Sequence, residues 1–557
     1  MQDNKLDQGA SSYGAPFLLK RFSRPDGWQI TATAIALLVL IPILILMASL
    51  FTPDREIWAH LAEHLLTTLL LNSFYLVLGV SIITLLLGVP LGWLTGMCEF
   101  PGRRFFSWAL LLPMALPSYV LAVVYLGILD FSGPVEKILQ FIIPHSDGVI
   151  IGDIRTTPGT ISIISLSLYP YVYLLARTGF MTQGTQTMEA ARTLGCNRQQ
   201  AFYRVALPMS RPWIAGGLML VIMETLADFG AVSAFNYDTF TTGIYKAWYG
   251  FFSISAAAQL SSMLLLFVIV VLFLDQRMRS RMRFTGVNKE KQKRIKLRGN
   301  KKIAAFLFCL FVFGVAFIIP ILQLLFWTKG VFSIEFGTRY LDYTGKTLML
   351  ATIASVLTCI AALILSYTRR LHSDPLTGGI VKLATVGYGM PGSVLAVGFF
   401  VMMSTIDETL VSFADTFLHI SINPIFRSSI LVMLAGYLVR FLAPAYAALD
   451  SNMQRITPNL DDAARLAGLR GITLLRGVHI PMLRQGILVG TVLVFVDVMK
   501  ELPLTLMTRP FGWDTLAVKI FELTSEGEWE RAALPSLVLV LAGLVPVILL
   551  VRSSSKI

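Results

Sequence analysis

Long apolar runs alternate with short polar connections along nearly the whole of this 557-residue chain. A helix needs about 20 apolar residues to cross a hydrocarbon core about 30 Å thick, because each residue advances it by about 1.5 Å. Twelve runs reach that length and predict an all-α, polytopic membrane protein. They cover residues 30–51, 65–96, 105–130, 159–180, 213–235, 254–275, 303–327, 342–368, 380–403, 426–449, 485–507 and 533–552.

The composition favours a membrane protein over every soluble class. Charged residues make up 14% of the chain and hydrophobic residues 55%, and the mean hydropathy is +0.69. A typical soluble protein carries about 25% charged residues. The composition therefore excludes a soluble enzyme, a disordered chain and a fibrous protein.

A net charge of +13 could indicate a nucleic-acid partner, but the distribution of the basic residues argues against one. Twelve of the 46 basic residues lie between Arg277 and Lys302, in the connection between two apolar runs. Such clusters are typical of the cytoplasmic side of a membrane, so we predict lipid and no nucleic acid as the neighbour. With the N-terminus inside, the predicted inner segments hold 34 of the 46 basic residues, Arg440 included. Both termini are therefore predicted to be cytoplasmic.

The chain repeats itself at a spacing of 273 residues, and the clearest match aligns residues 189–192 (Glu-Ala-Ala-Arg) with 462–465 (Asp-Ala-Ala-Arg). Each copy holds six predicted spans, an even number, so both copies have the same orientation in the membrane. Parallel repeats of this kind are typical of transporters whose substrate route lies between the halves. The predicted domains are a cytoplasmic tail (1–29), a first repeat (30–276), a basic cytoplasmic linker (277–302) and a second repeat (303–557).

Three short patterns match catalytic signatures without the context that the chemistry needs. Residues 387–392 fit the dinucleotide pattern GxGxxG inside an apolar run, where we predict a membrane helix softened by glycine and proline. Residues 345–347 read Gly-Lys-Thr but lack the earlier glycine of a P-loop. The zinc pattern HxxEH at 60–64 stands in a short outer connection and predicts a polar interfacial helix. A membrane-embedded enzyme is therefore the least favoured class, and no fixed metal site is predicted.

The strongest functional signal is a duplicated inner loop between the fourth and fifth spans of each half. Its shared positions are Glu189, Ala190, Ala191, Gly195 and Pro208 in the first copy and Asp462, Ala463, Ala464, Gly468 and Pro481 in the second. The pattern predicts a helix that stops at a glycine with positive φ, a short second helix, and a helix restart at the proline. Asn459 and Asp462 resemble a capping box at the helix start. The paired alanines predict a flat surface of small side chains on which another protein docks.

This duplicated pattern resembles the EAA loop of permease subunits in bacterial binding-protein-dependent ABC importers. The resemblance covers both halves and implies a type I ABC importer permease-like fold in the bacterial inner membrane. It implies that each loop contributes a coupling helix to a cytoplasmic ABC ATPase dimer, which holds ATP and Mg, while a periplasmic solute-binding protein delivers the substrate. It also implies that the chain is a transporter permease and not an enzyme.

Several further stretches resemble the fused ferric-iron importer permeases and imply ferric iron as the substrate. They are 224–230, 239–246, 500–503, 509–511, 514–517 and 528–535. The fused thiamine permeases have a similar length, so thiamine or another small solute remains an alternative. From another class, an ion-coupled secondary carrier fits twelve spans in two parallel halves equally well, but it needs no ATPase docking loop.

Four acids mark a candidate translocation path. Glu224 and Asp228 lie four residues apart, on one predicted helix face, and Asp497 and Glu501 repeat the pair in the second half. Acids inside a membrane span are costly, so we predict that the four line the outer part of the route between the halves, with Lys500 offsetting one charge. The alternative is that both helices end early and that the acids merely cap their outer ends beside water.

Overall fold

The computed structural model describes residues 26–51, 55–130, 133–142, 153–279, 294–372, 374–421, 423–427 and 429–554. Its first half contains α1 (Gly27–Ser49), α2 (Arg55–His64), α3 (Leu66–Met97), β1 (Cys98–Glu99), α4 (Arg103–Ala109), α5 (Ser118–Leu129), α6 (Pro134–Ile142), α7 (Thr157–Thr193), α8 (Arg198–Ala201), α9 (Leu207–Ala227), α10 (Gly230–Ala234), α11 (Phe240–Tyr245) and α12 (Ile254–Arg279). The second half contains β2 (Ile295–Lys296), α13 (Asn300–Phe313), α14 (Ile319–Glu335), α15 (Thr338–Leu371), α16 (Pro375–Ala384), α17 (Gly392–Phe413), α18 (Ile430–Met453), α19 (Pro458–Leu466), α20 (Gly471–Leu474), α21 (Ile480–Lys500), α22 (Pro503–Thr508), α23 (Leu516–Ser525) and α24 (Ala533–Ser554).

The described helices confirm the all-α, polytopic prediction. Eleven helical segments in the described part of the chain are long and apolar enough to cross a membrane, and each overlaps one of the first eleven predicted spans. The twelfth prediction, 533–552, falls in α24, whose apolar section Ala533–Ile548 is shorter. The polar helix predicted at 60–64 lies in α2, and a single residue separates α2 from α3.

Two predicted spans are not continuous helices. The run 105–130 breaks after a 3-10 turn at Leu112–Ala115, and the run 380–403 breaks after a 3-10 turn at Val386–Gly389. In each case the chain is extended before a proline, Pro117 or Pro391, and a new helix starts there. Proline disfavours the α conformation in the residue before it and supplies no N–H, so it ends one helix and begins the next.

The fifth and eleventh predicted spans, 213–235 and 485–507, also end earlier than the apolar pattern predicts. Helix α9 ends at Ala227 and α21 ends at Lys500, and in both the next residue has extended backbone. Short helices, α10 and α22, follow within a few residues. These breaks place the ends of α9 and α21 and the starts of α10 and α22 beside the site described below.

The first spans of the two halves also pack against the opposite half, besides the contacts of α1 with α12 and of α14 with α24 in their own halves. Helices α3, α7 and α9 pack together in the first half, as their counterparts α15, α18 and α21 do in the second. Helix α1, however, packs on α16 and α17 of the second half, while α13 and α14 contact α4 and α5 of the first. The division at 30–276 and 303–557 therefore describes a sequence repeat and not two separately packed bodies.

The end of the basic linker is attached to the first half. Strand β2 pairs in parallel with β1, and the Glu99 carboxylate lies 3.1 Å from Arg103 Nε and 4.0 Å from Arg294 Nη1. Residues 280–293 of the linker lie outside the described residues, as do residues 1–25 of the predicted cytoplasmic tail.

Candidate functional site

A cavity of about 350 Å³ lies between the two halves, where the broken helices meet. Helices α5, α9, α18 and α21 and the breaks that precede α17 and α22 contribute to its wall. Its charged lining residues are Glu224, Asp228, Arg440, Asp497, Lys500 and Glu501. The structure therefore brings all four predicted acids to one cavity, and it adds two cations.

Asp228 caps a helix in this cavity. Its Oδ1 accepts hydrogen bonds from the backbone N–H groups of Ala231 (3.0 Å) and Val232 (3.2 Å), at the start of α10. The Ser118 hydroxyl donates to the other oxygen. Since α9 ends at Ala227, Asp228 does not continue the helical face of Glu224, and that expectation was wrong. Backbone N–H groups at a helix start stabilise a carboxylate, so Asp228 is held in place.

Glu501 is held in a different way. Its Oε2 lies 3.0 Å from Arg440 Nε, and its Oε1 accepts a hydrogen bond of 3.2 Å from the N–H of Leu504, in α22. The side chains of Arg440 and Glu501 are only 14% and 6% exposed. Arg440 also donates to the carbonyl of Met390, at the break before α17 (3.0 Å). A side chain at Gly392 would collide with the Glu501 carboxylate, which explains glycine at this position.

Glu224 and Asp497 stand one turn earlier, in the helices themselves. Both line the cavity, and each comes from a different half. Among the residues that the structure describes, neither carboxylate accepts a hydrogen bond or joins an ion pair. The alternative prediction was that both helices end early and that the acids cap their outer ends. The helices do end early, just before Asp228 and Glu501. These two carboxylates, however, cap the starts of the next short helices, α10 and α22, and line the cavity.

The sequence reasoning missed the role of Arg440. We counted it with the inner-face basic residues, but it lies within α18 and lines the cavity. An isolated arginine inside an apolar run is the signal that could have identified it. Lys500, which we expected to offset an acid, also lines the cavity, with its Nζ 3.4 Å from the carbonyl of Met114. With four carboxylates against two cations, the cavity lining has a formal charge of −2.

The duplicated loops end their helices at the predicted glycines. Gly195 and Gly468 have φ values of +88° and +85°, as we expected. The N–H of Cys196 donates to the carbonyl of Ala191 (3.0 Å), and the N–H of Leu469 donates to that of Ala464 (3.0 Å). These are the bonds of a Schellman motif, and they occur in identical register in the two copies.

The restart at Pro208 and Pro481 was predicted wrongly. Neither proline follows a gap, because a π-helical turn, Phe202–Ala206 or Leu475–His479, joins the short helix directly to the next long one. A π-turn leaves a backbone carbonyl without its usual partner, which makes room for the proline that has no N–H. The predicted capping box at Asn459 is also absent: α19 begins at Pro458, with Thr457 as its N-cap.

The alanine pairs do not form one flat outer surface. Ala463 is exposed, but Ala191 and Ala464 are only 5% and 8% exposed and face inward. The side chains of Glu189 and Ala190 lie outside those described, and Asp462 is exposed. The outward apolar groups are instead leucines beside the glycines, Leu194 (84% exposed) and Leu466 (90% exposed).

Comparison with known proteins connects this architecture to transport. A family model described as "Binding-protein-dependent transport system inner membrane component" matches residues 88–284. The Fe(3+)-transport system permease protein FbpB 2 of Haemophilus influenzae is 25% identical over 88% of this chain and 90% of its own length. The sulfate transport system permease protein CysW of Escherichia coli is 27% identical over 39% of this chain and 74% of its own. The molybdenum transport system permease protein ModB of Haemophilus influenzae is 26% identical over 36% of this chain and 88% of its own.

These similarities agree with the two-half, all-α architecture and with the duplicated loops. One relative aligns along both halves, and the others align with about a third of the chain, as permeases with a single copy of the repeat would. A permease provides the membrane path and is not itself an enzyme. The chain is therefore a multi-pass inner membrane protein that is similar to permeases of binding-protein-dependent ABC importers, to the family model over residues 88–284 and to an Fe(3+) permease over most of its length.

Proposed function

We propose that this chain forms the complete membrane path of an ATP-driven importer of ferric iron. The observation that carries the proposal is the excess of carboxylates in the cavity between the halves, where four acids face two cations. The relative that aligns along most of the chain is named as an Fe(3+) permease, which supports the same substrate.

The charge of the cavity separates this substrate from those of the other relatives, which are named for sulfate and molybdenum. Sulfate and molybdate are oxyanions, and a lining with a formal charge of −2 repels them. A ferric ion is a hard cation that prefers oxygen ligands, so carboxylates suit its passage. The cavity chemistry therefore favours a cation over an oxyanion.

The four acids have two different roles in this proposal: two of them shape the cavity, and the other two bind the ion as it passes. Asp228 and Glu501 are committed to helix caps and to Arg440, so their positions are fixed. Glu224 and Asp497 make no such hydrogen bond or ion pair within the described residues, and together they provide one carboxylate from each half. Arg440 and Lys500 weaken the attraction of the site for a cation. A path needs that balance, since an ion that binds too tightly is not released.

The duplicated loops are proposed to carry the coupling to an ATPase dimer. Each loop presents an exposed leucine, Leu194 or Leu466, beside a glycine-stopped helix, and such a rigid apolar projection fits a cleft in a partner protein. The ATPase would hold ATP and Mg, and a periplasmic solute-binding protein would deliver iron to the opposite face. This arrangement places the loops, the linker and both termini in the cytoplasm.

The proposal is tested with the chain, its ATPase and its solute-binding protein in sealed proteoliposomes. We expect radioactive ferric iron to accumulate inside only when ATP is present on the loop side. Excess thiamine, sulfate or molybdate should not compete. Competition by thiamine would assign the path to that organic cation, and uptake driven by a proton gradient without ATP would assign the chain to the secondary carriers.

Replacing both loop glycines by valine is expected to separate ATP hydrolysis from transport. In the Gly195→Val, Gly468→Val variant, a β-branched residue must adopt positive φ, which costs about 1 kcal/mol or more at each site. A Cβ atom at either position meets no other atom within 4 Å, so the effect arises from the backbone and not from a clash. The measurement is iron transported per ATP hydrolysed.

The matched control for this variant is Gly337→Val. This glycine also has open space for a Cβ atom, but its φ of −141° suits valine. Full coupling in the double loop variant would show that the shape of the loops does not matter for transport.

A further inference from the structure

A buried ionic cluster lies at the base of the second docking loop, which we define as residues 454–479. Arg370 Nε lies 2.9 Å from Asp461 Oδ2, and His479 Nε2 lies 3.3 Å from Asp461 Oδ1. The His479 side chain is fully buried, and those of Arg370 and Asp461 are 16% and 12% exposed. The aromatic ring of Tyr367 packs edge-on against the His479 ring, with centroids 5.4 Å apart. Three charged or titratable groups are therefore withdrawn from water at one point.

The cluster ties both ends of the loop to one helix end. Asp461 stands in the first turn of α19, and His479 is the last residue of the π-turn before α21. Arg370, in the last turn of α15, also donates to the carbonyl of Met453, where α18 ends (3.3 Å). The Tyr367 hydroxyl donates to the carbonyl of Gly471, at the start of α20 (2.8 Å). The last turns of α15 thus contact the loop at its entry, its middle and its exit.

The first docking loop, residues 181–206, is anchored by different chemistry. The buried positions of α3 and α15 match at a spacing of 274 residues, and the loops match at 273, so the counterparts of Arg370, Asp461 and His479 are Gly96, Met188 and Ala206, and none of them carries a charge. In their place the first copy has an aromatic cluster: the ring of Trp93 lies 5.2 Å from that of Phe180 and 4.7 Å from that of Phe202.

The aromatic cluster is only partly repeated in the second copy. The counterparts of Trp93, Phe180 and Phe202 there are Tyr367, Met453 and Leu475, and the ring of Tyr367 packs on His479 instead. Both copies therefore have an aromatic residue at this point of the long helix, whereas the charged groups occur only in the second copy and the Phe180–Phe202 contact only in the first.

We infer that Arg370, Asp461 and His479 are positioning residues that hold the second docking loop in its working orientation against α15. The inference rests on the docking role proposed above. Hydrogen bonds are directional, whereas apolar packing tolerates small rotations, so the bonds from Arg370 to Asp461 and from Tyr367 to Gly471 fix the angle of the loop as well as its place, and the buried His479 ring packs between them. The two ends of the ATPase dimer would then meet loops that are held by different forces.

The first test measures the mobility of each loop in the full chain, reconstituted in nanodiscs without any ATPase. A nitroxide is placed on Leu466→Cys or on Leu194→Cys, the exposed leucines of the two loops, with Cys196 replaced by Ser in both. Arg370→Met should increase the mobility of the label at 466 and leave the label at 194 unchanged. Phe202→Leu, which introduces the residue of the second copy, should do the reverse.

A triple variant guards against misfolding caused by an unpaired buried charge. Arg370→Met, Asp461→Met, His479→Ala removes all three groups and introduces the residues of the first copy at 461 and 479, so no buried charge is left without a partner. We expect this variant to keep its thermal stability close to that of the parent chain but to leave the label at 466 mobile, because Met453 and Leu475 stand where the first copy has Phe180 and Phe202. Arg370→Lys keeps the positive charge and should restore part of the immobilisation.

The second test uses the assembled complex and measures iron transported per ATP hydrolysed. We expect the triple variant to lower this ratio by about two- to thirtyfold, the range that changes in energetic coupling cover. An unchanged spectrum at 466 in both the single and the triple variant would overturn the inference. A mobile loop with an unchanged ratio would instead refute the docking role of the loop, while the anchor itself would stand.

Discussion

Iron uptake is expected to fall by about a hundredfold to ten-thousandfold when Glu224 is replaced by Gln and Asp497 by Asn together. A contact to a charged group contributes about 1.5–3 kcal/mol, and the double variant removes two such contacts from the path. The substitutions keep the shape of both side chains, and neither carboxylate supports the fold through a hydrogen bond within the described residues. The measurement is the initial rate of ferric iron uptake into proteoliposomes, at equal amounts of assembled complex.

Asp228→Asn is the matched control for this variant. It removes one charge from the same cavity, but from a carboxylate that caps α10. An asparagine oxygen still accepts the two N–H bonds and is as good a helix cap as a carboxylate, so this variant should keep its thermal stability and keep more of its uptake than the double variant. If the double variant assembles and transports iron at the parental rate, Glu224 and Asp497 have no part in the path.

Arg440→Met is expected to destabilise the chain by about 3–5 kcal/mol, because it leaves the Glu501 carboxylate buried without its partner. The arginine is buried against Glu501 and also holds the carbonyl of Met390, so one substitution disturbs the breaks before both α17 and α22. Thermal unfolding of the purified chain in detergent gives the measurement.

Two further variants distinguish a stranded charge from a general loss of packing. Arg440→Met, Glu501→Met removes both charges and should recover much of the stability that the single variant loses. Lys500→Met removes a cation of the same cavity that makes one long contact, 3.4 Å from the Met114 carbonyl, and should cost less. Equal destabilisation by Arg440→Met and Lys500→Met would contradict the importance of the Arg440–Glu501 pair.

Helix breaks explain where the sequence-based reading of the site went wrong. We placed Glu224 and Asp228 on one helical face, because nothing in the apolar run 213–235 marks its end at Ala227. The break depends on Asp228 meeting the N–H groups of α10 and the Ser118 hydroxyl, and Ser118 lies 110 residues earlier in the chain. The pattern of apolar and polar residues around Asp228 contains no information on a hydrogen-bond partner so far away in the sequence.

In the docking loops, too, the sequence predicted the local features but not the contacts between distant residues. Positive φ at Gly195 and Gly468 was predictable, because a glycine that ends a helix is a local, steric signal. The inward orientation of Ala464 was not, because it depends on how the loop lies against the neighbouring helices. The two anchors were not predicted either: Arg370 and Asp461 stand 91 residues apart.

The sequence by itself determined the features that depend on neighbouring residues. The lengths of the apolar runs set the spans, because the bilayer thickness fixes how many residues a helix needs to cross it. The 273-residue repeat determined how the spans group into two similar halves. The loop glycines determined where the helices of the docking loops end. Tertiary structure decided which charges meet: it brought Glu224 and Asp497 to one cavity, and Arg440 to Glu501. The reason is that a buried charge is stable only beside a suitable partner, and helix packing alone decides which distant residue that partner is.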